Sequence, residues 1–297
     1  MTGHLLHVGY PKAASHLLRR WFTDHPQLAY EESGIGGYRD VFQISRESAI
    51  PRREILYRVT SSETFTAPTR DTGKPAERFV RSRWVGVRAR QSAVCELLAG
   101  LFPASRVLLV TRGFRSMIVS SYSEMLRSGA GIDFPDFCAV IRDAMLAVDA
   151  PWDYDDVIRL YRNAFGADRV TVLPVELLRD NADGFIRAIE TPLGLEHCPA
   201  TTERLHRSLS AVEMYWYPKL IRSMHRVSSA RPYLRLCARA VLENRFRPLI
   251  ALLQRTRPGR PVTLESVPEE LMATFCGKAV SLKDDPLYAP YAGDYLF

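Results

Sequence analysis

The sequence predicts an α/β fold: a three-layer parallel sheet flanked by helices, followed by a helical basic C-terminal region. Three observations carry this. Short apolar runs that read as buried strands alternate with helical periodicity from residue 4 to Gly194. That alternation favours a parallel sheet with right-handed crossovers. Two strand runs, at 5–8 and 107–110, are each followed at once by a turn and a helix start. Residues 219–260 then change character, with eleven Lys and Arg against one acid, Glu243.

Taken in order, Leu5, Leu6 and Val8 read as a buried strand, which Gly9-Tyr10-Pro11 ends. From Ala13 the pattern is helical, with Leu17, Leu18, Trp21 and Phe22 on one face. Lys12 lies in the turn between them. Such a turn aims backbone N–H groups and the positive end of a helix dipole at one point, a geometry that binds phosphate or sulfate. Lys12, Ser15 and His16 add donors. No Gly-x-x-x-x-Gly-Lys loop is present.

Gln27 to Tyr30 reads as a short strand, and Glu31 to Gly37 as a charged, Gly-rich loop. Ile55 to Val59 is a strand that runs into Thr60-Ser61-Ser62-Glu63. Residues 66–83 form a polar loop around Pro68, Gly73 and Pro75. Trp84 to Val87 reads as a strand followed by Arg88, and Gln91 to Leu101 as a helix. Val107 to Val110 is a buried strand with Arg112 at its end. Ser120 stands eight positions later, on a helix from Met117 to Leu126. An Arg fork matches phosphate geometry and keeps its charge. Residues 132–165 are helical with a break at Asp149-Ala150-Pro151, and Gly166 ends the second helix. Val170 to Val175 is a last strand, followed by Glu176, and Phe185 to Gly194 a further helix. Lys12, Glu63, Arg88 and Arg112 each follow a strand, so one crevice at the carboxyl edge of the sheet could receive all four.

The bounds agree with a globular protein. The 297 residues are 46% apolar and carry a net charge of +7. We expect one domain over 1–297, with its core in about 1–210 and the basic region after it. No stretch approaches the ~20 apolar residues that cross a bilayer. The N-terminus enters the first strand at once, leaving no room for a signal peptide. The cysteines (95, 138, 198, 237, 276) are odd in number and dispersed, without a Cys-x-x-Cys pair. They point to reduced thiols in a cytoplasmic setting and against structural zinc.

Tyr10-Pro11-Lys12-Ala13-Ala14-Ser15-His16 resembles the 5′-phosphosulfate loop of the PAPS-dependent sulfotransferases, bacterial carbohydrate and metabolite types included. That loop reads Tyr-Pro-Lys, any residue, Gly, then two hydroxyl residues. Ala14 stands where the family has Gly, which suits only a turn that needs no positive φ there. His16 replaces the second hydroxyl. Arg112 and Ser120 resemble the family's 3′-phosphate pair. Leu205 to Ser210 resembles a loop that bacterial members carry near the nucleotide, with His206 where Asn is usual. The resemblance implies a P-loop-like sheet and sulfuryl transfer from PAPS to a hydroxyl of a carbohydrate, lipid or other small molecule, with no metal. It also implies that Lys12, Ala13, Ala14, Ser15, His16 and Leu17 hold the phosphosulfate. Arg112, Ser120 and Arg207 would hold the rest of the nucleotide, and Lys12 would stabilise the leaving oxygen.

Three carboxylates compete to take the acceptor proton. Glu31 and Glu32 follow His25-Pro26, as the base does in carbohydrate sulfotransferases. Glu63 follows a strand near Lys12 and has the better local geometry, with Glu32 the alternative. A capping role with Ser61 or Ser62 competes for Glu63, and His16 is a fourth candidate. Two other functions stand against this one: a P-loop-like nucleotide kinase, disfavoured by the missing Walker loop, and an inactive membrane-associated binding protein. The basic stretch suits either a solvated helical face or the anionic inner surface of a membrane. No nucleic-acid motif accompanies it.

Overall fold

The computed structural model describes residues 2–40, 42–44, 55–66, 86–147, 150–201, 209–227 and 246–297. Its centre is a five-stranded sheet whose neighbouring strands are all parallel. The strands are β1 (Gly3–His7), β2 (Leu28–Tyr30), β3 (Tyr57–Ser61), β4 (Arg106–Thr111) and β5 (Val170–Pro174), in the order β2-β3-β1-β4-β5. The chain first builds to one side of β1, then crosses back to build the other. The reversal falls between β1 and β4. Right-handed crossovers place the helices of the two halves on opposite faces of the sheet.

Helix α1 (Ser15–Asp24) joins β1 to β2, and α2 (Val87–Leu101) precedes β4. Three helices, α3 (Phe114–Arg127), α4 (Phe134–Leu146) and α5 (Tyr154–Phe165), lie between β4 and β5. After β5 come α6 (Val175–Asp180), α7 (Ala182–Leu193), α8 (Ala211–Val227) and α9 (Arg247–Thr256). Short turns follow, including α10 (Glu269–Met272) and α11 (Ala292–Tyr295).

The central strands are apolar because both faces are covered. Leu5, Leu6, Val107, Leu108, Leu109 and Val110 are all buried. The helices bury one stripe each: Leu18, Trp21 and Phe22 on α1, and Phe137, Cys138, Ile141 and Met145 on α4. Each fully buried Leu or Phe contributes roughly 1.5–3 kcal/mol. One cluster runs from Leu5 to Tyr295, so the C-terminal turns belong to the same core as β1.

The structure corrects three sequence expectations. Val87 is not the end of a strand but the first residue of α2, buried at its N-terminus. Residues 84 and 85 lie outside the described residues. β3 starts at Tyr57 rather than Ile55, because its register is set by Leu28 opposite Tyr57 on β2. Val175 opens α6 instead of ending β5.

The basic region is described in part. Arg222 pairs with Asp133, and Arg247 with Glu213. Lys219 lies over the Tyr215 ring. Arg255, Arg257 and Arg260 are exposed, as are Leu249 and Leu252. Residues 228–245, with their arginines and Cys237, lie outside the described residues. Among those described, no helix is long and apolar enough to cross a membrane, and no cluster of metal-ligating side chains occurs.

Candidate active site

The site follows from the topology. β1 and β4 are neighbours at the point where strand order reverses, the place where open parallel sheets bind ligands beyond the carboxyl ends of their strands. Lys12 follows β1 and Arg112 follows β4. The two loops touch: Arg112 Nη1 donates to the Lys12 carbonyl at 2.7 Å.

The β1–α1 turn is tightly wound. Tyr10 N–H reaches back to Val110 O at 3.4 Å, and Ala13 N–H closes on Tyr10 O at 3.1 Å. Lys12 and Ala14 both take left-handed conformations, at φ 69° and 62°. The turn does need positive φ at Ala14, contrary to the condition set by the missing glycine. An L-residue there costs about 1–2 kcal/mol. Ala14 is the N-cap of α1, its side chain makes no capping bond, and the first turn holds no acid. The first N–H groups of α1 have no intrahelical carbonyl to reach. Ser15 is buried, at 3% exposure, and among the described residues its Oγ has no hydrogen-bond partner. Anions bind at helix N-termini, so this hydroxyl is a candidate donor to one. His16 is exposed on the next position and Leu17 half-buried.

Lys12 Nζ lies 3.3 Å from Glu124 Oε2 on α3, and Arg127 stands 4.0 Å from the same oxygen. The ammonium therefore points across the crevice from the β1 side to the β4 side. Glu124 had no signal in the sequence, since its position four residues beyond Ser120 matters only once α3 faces the β1 loop.

Arg112 is held from several sides. Its Nη1 also donates to Ser120 Oγ at 3.2 Å, so the structure brings this pair together. Its Nε donates to Ser116 Oγ at 2.9 Å, and its carbonyl accepts from the Tyr154 hydroxyl at 2.6 Å. Among the described residues Nη2 has no partner. Burial lowers the guanidinium pKa, from a starting value so high that it stays charged. Nη2, the Ser120 hydroxyl proton and the Ser15 hydroxyl are the donors left for a bound anion. Such a set of donors matches the oxygens of a phosphate.

One turn along α1 from Ser15, to whose carbonyl it donates at 3.3 Å, Arg19 gathers two of the carboxylates. Its guanidinium nitrogens lie 3.7 Å from Glu32 Oε1 and 3.7 Å from Glu63 Oε1. Glu63 is the more sheltered, at 35% side-chain exposure against 76% for Glu32. Glu63 occupies a turn, not a helix start. There Ser62 Oγ accepts from Thr64 N–H at 3.2 Å, so Ser62 serves Thr64 and not Glu63. Thr66 Oγ1 donates to Gly9 O at 3.0 Å and tethers this turn to the end of β1. Beneath it, His7 bonds Ser61 Oγ through Nδ1 at 2.7 Å. Burial and the nearby Arg19 charge push its pKa down to about 3.

Two expected members are not in the crevice or not described. Arg88 lies in the first turn of α2, not after a strand, and its guanidinium contacts Asp156 on α5. Arg207 lies outside the described residues. The sequence also missed Ser116, Arg19 and the role of Glu176, whose Oε1 accepts from Gly113 N–H at 3.0 Å.

No family model matches the sequence, and no curated protein does. Among solved structures the chain is similar to a sulfotransferase from Alicyclobacillus acidocaldarius, at 15% identity and TM-score 0.46, over 70% of this chain and 87% of that one. It is also similar to a mouse sulfotransferase complexed with PAP, at 14% identity and TM-score 0.37, over 66% of this chain and 59% of that one. These are likenesses in outline at low identity. The geometry of the site is what bears on function.

Proposed function

We propose that this protein transfers a sulfuryl group from PAPS to a hydroxyl of a carbohydrate, lipid or other small molecule. The observation that carries the reading is the 2.7 Å bond from Arg112 to the Lys12 carbonyl. On this reading it joins a 5′-phosphosulfate cradle, at Ser15 and the start of α1, to a 3′-phosphate fork, at Arg112 and Ser120. Ser15 Oγ and the α1 N-terminus receive the 5′ group, and Arg112 with Ser120 the 3′-phosphate.

PAPS supplies the sulfuryl group on a phosphate leaving group. The acceptor oxygen bonds to sulfur as the bond from sulfur to the phosphate oxygen breaks. Lys12 turns from Glu124 to the departing oxygen, where charge accumulates. Glu63, with Glu32 as the alternative, takes the acceptor proton. The remaining work is alignment, as in other in-line transfers.

A kinase would need ATP, which has no 3′-phosphate for Arg112. Calorimetry with adenosine 3′,5′-bisphosphate and with ATP separates the two readings. Bisphosphate should bind at least about tenfold tighter, because only it engages the charge-assisted Arg112 contact. Tighter ATP binding would favour the kinase. No binding of bisphosphate would leave an inactive scaffold. Labelled PAPS offered with a panel of glycans, lipids and phenols then reads transfer. Lys12→Ala should lower turnover about a hundredfold or more while the protein stays folded.

A further inference from the structure

Glu176 sits just after β5, at the start of α6, and is 5% exposed. Its carboxylate is tied up entirely by groups around Arg112. Oε1 accepts from Gly113 N–H at 3.0 Å and lies 3.5 Å from Ser116 Oγ. Oε2 accepts from the Tyr295 hydroxyl at 2.6 Å. Gly113 is the N-cap of α3 and has no side chain to cap it. Glu176 supplies the negative charge at that helix start from α6. Ser116 in turn donates to Gly113 O at 3.0 Å and accepts from Arg112 Nε.

The C-terminus completes the arrangement. Tyr295 and Tyr288 are buried with their rings 5.1 Å apart, near perpendicular. Tyr288 bonds Thr111 Oγ1 at 2.7 Å, one residue before Arg112. Burial raises both phenols well above the ordinary tyrosine value, so they remain hydroxyls. Thr111, Arg112 and Gly113 are thus each gripped by a polar group from elsewhere: Tyr288, Tyr154 and Glu176.

We infer that Glu176, held by Tyr295, is a positioning residue that fixes the Arg112 guanidinium for the 3′-phosphate of the nucleotide. The inference rests on the proposed nucleotide. It goes further in assigning 3′-phosphate selectivity to a strut built by the last turn of the chain. Freeing the Gly113 N–H and Ser116 loosens the Arg112 guanidinium first, since among the described residues neither Glu176 nor Tyr295 bonds Ser15. The strut therefore predicts a change in selectivity, which general loosening does not.

The test is calorimetry on the full chain with adenosine 3′,5′-bisphosphate and adenosine 5′-monophosphate. Glu176→Ala should weaken the bisphosphate about tenfold or more and leave the monophosphate within about twofold. Glu176→Gln keeps an acceptor for Gly113 N–H and should recover most of that loss. Tyr295→Phe removes one oxygen from a packed ring and should weaken the bisphosphate by about threefold or more, again selectively. It carries the test if Glu176→Ala does not fold. Equal losses for both nucleotides, or no loss in Tyr295→Phe, would overturn the inference. Failure of the unaltered protein to bind bisphosphate would instead overturn the proposed function.

Discussion

Arg19 stands 3.7 Å from both Glu32 and Glu63, the two carboxylates proposed to take the acceptor proton. Glu63 is the more enclosed, and its turn is tied to the end of β1 through Thr66. Glu63→Gln keeps the shape and removes the basicity. We expect kcat to fall about a hundredfold or more with bisphosphate affinity unchanged. Retained activity in Glu63→Gln, with loss in Glu32→Gln, would move the role to the earlier loop. At this scale the sequence showed the positions of Lys12, Ser15, Arg112 and Ser120 after β1 and β4, because short-range spacing after a strand sets them. Arg19, Ser116, Glu124 and Glu176 were not visible. Each matters through a partner on another element, and pattern reading carries no information about which helix faces which loop.

Element by element, α1 starts under strain. Ala14 is left-handed at φ 62° with no capping bond, where glycine fits without steric cost. Ala14→Gly should therefore stabilise the fold by about 1 kcal/mol, a rise in urea midpoint at constant m. An unchanged or lower midpoint would mean that the loop relaxes when free of ligand. The sheet itself was legible: all five strands fall within two residues of their expected positions, most clearly β4 and β5, which are buried apolar runs. The extra strand expected at Trp84–Val87 failed at Val87, whose apolar character serves a buried helix start equally well.

For the whole molecule, His7 couples stability to pH. Its pKa is about 3 in the fold, against 6.5 unfolded, with burial the first cause and Arg19 the second. The unfolded chain then binds the extra proton, so this contribution is complete above about pH 6.5 and is lost as pH falls toward 3. From pH 7 to pH 5 it amounts to about 2 kcal/mol. Urea titrations at the two pH values should show this loss, reduced in His7→Asn. A flat profile would place water or a proton on His7 Nε2. The C-terminal turns were the least legible part of the chain. No motif or periodicity marks Tyr288 and Tyr295, yet they close the core against β4 and reach the Arg112 segment.

The central claim is that Arg112 is the 3′-phosphate ligand of a two-loop nucleotide site. Calorimetry of adenosine 3′,5′-bisphosphate with the unaltered protein and with Arg112→Ala tests it most directly. A loss on the order of 2–4 kcal/mol is predicted, since a charge-assisted phosphate contact is removed. Affinity within about twofold of the unaltered protein, well under 1 kcal/mol, would contradict it.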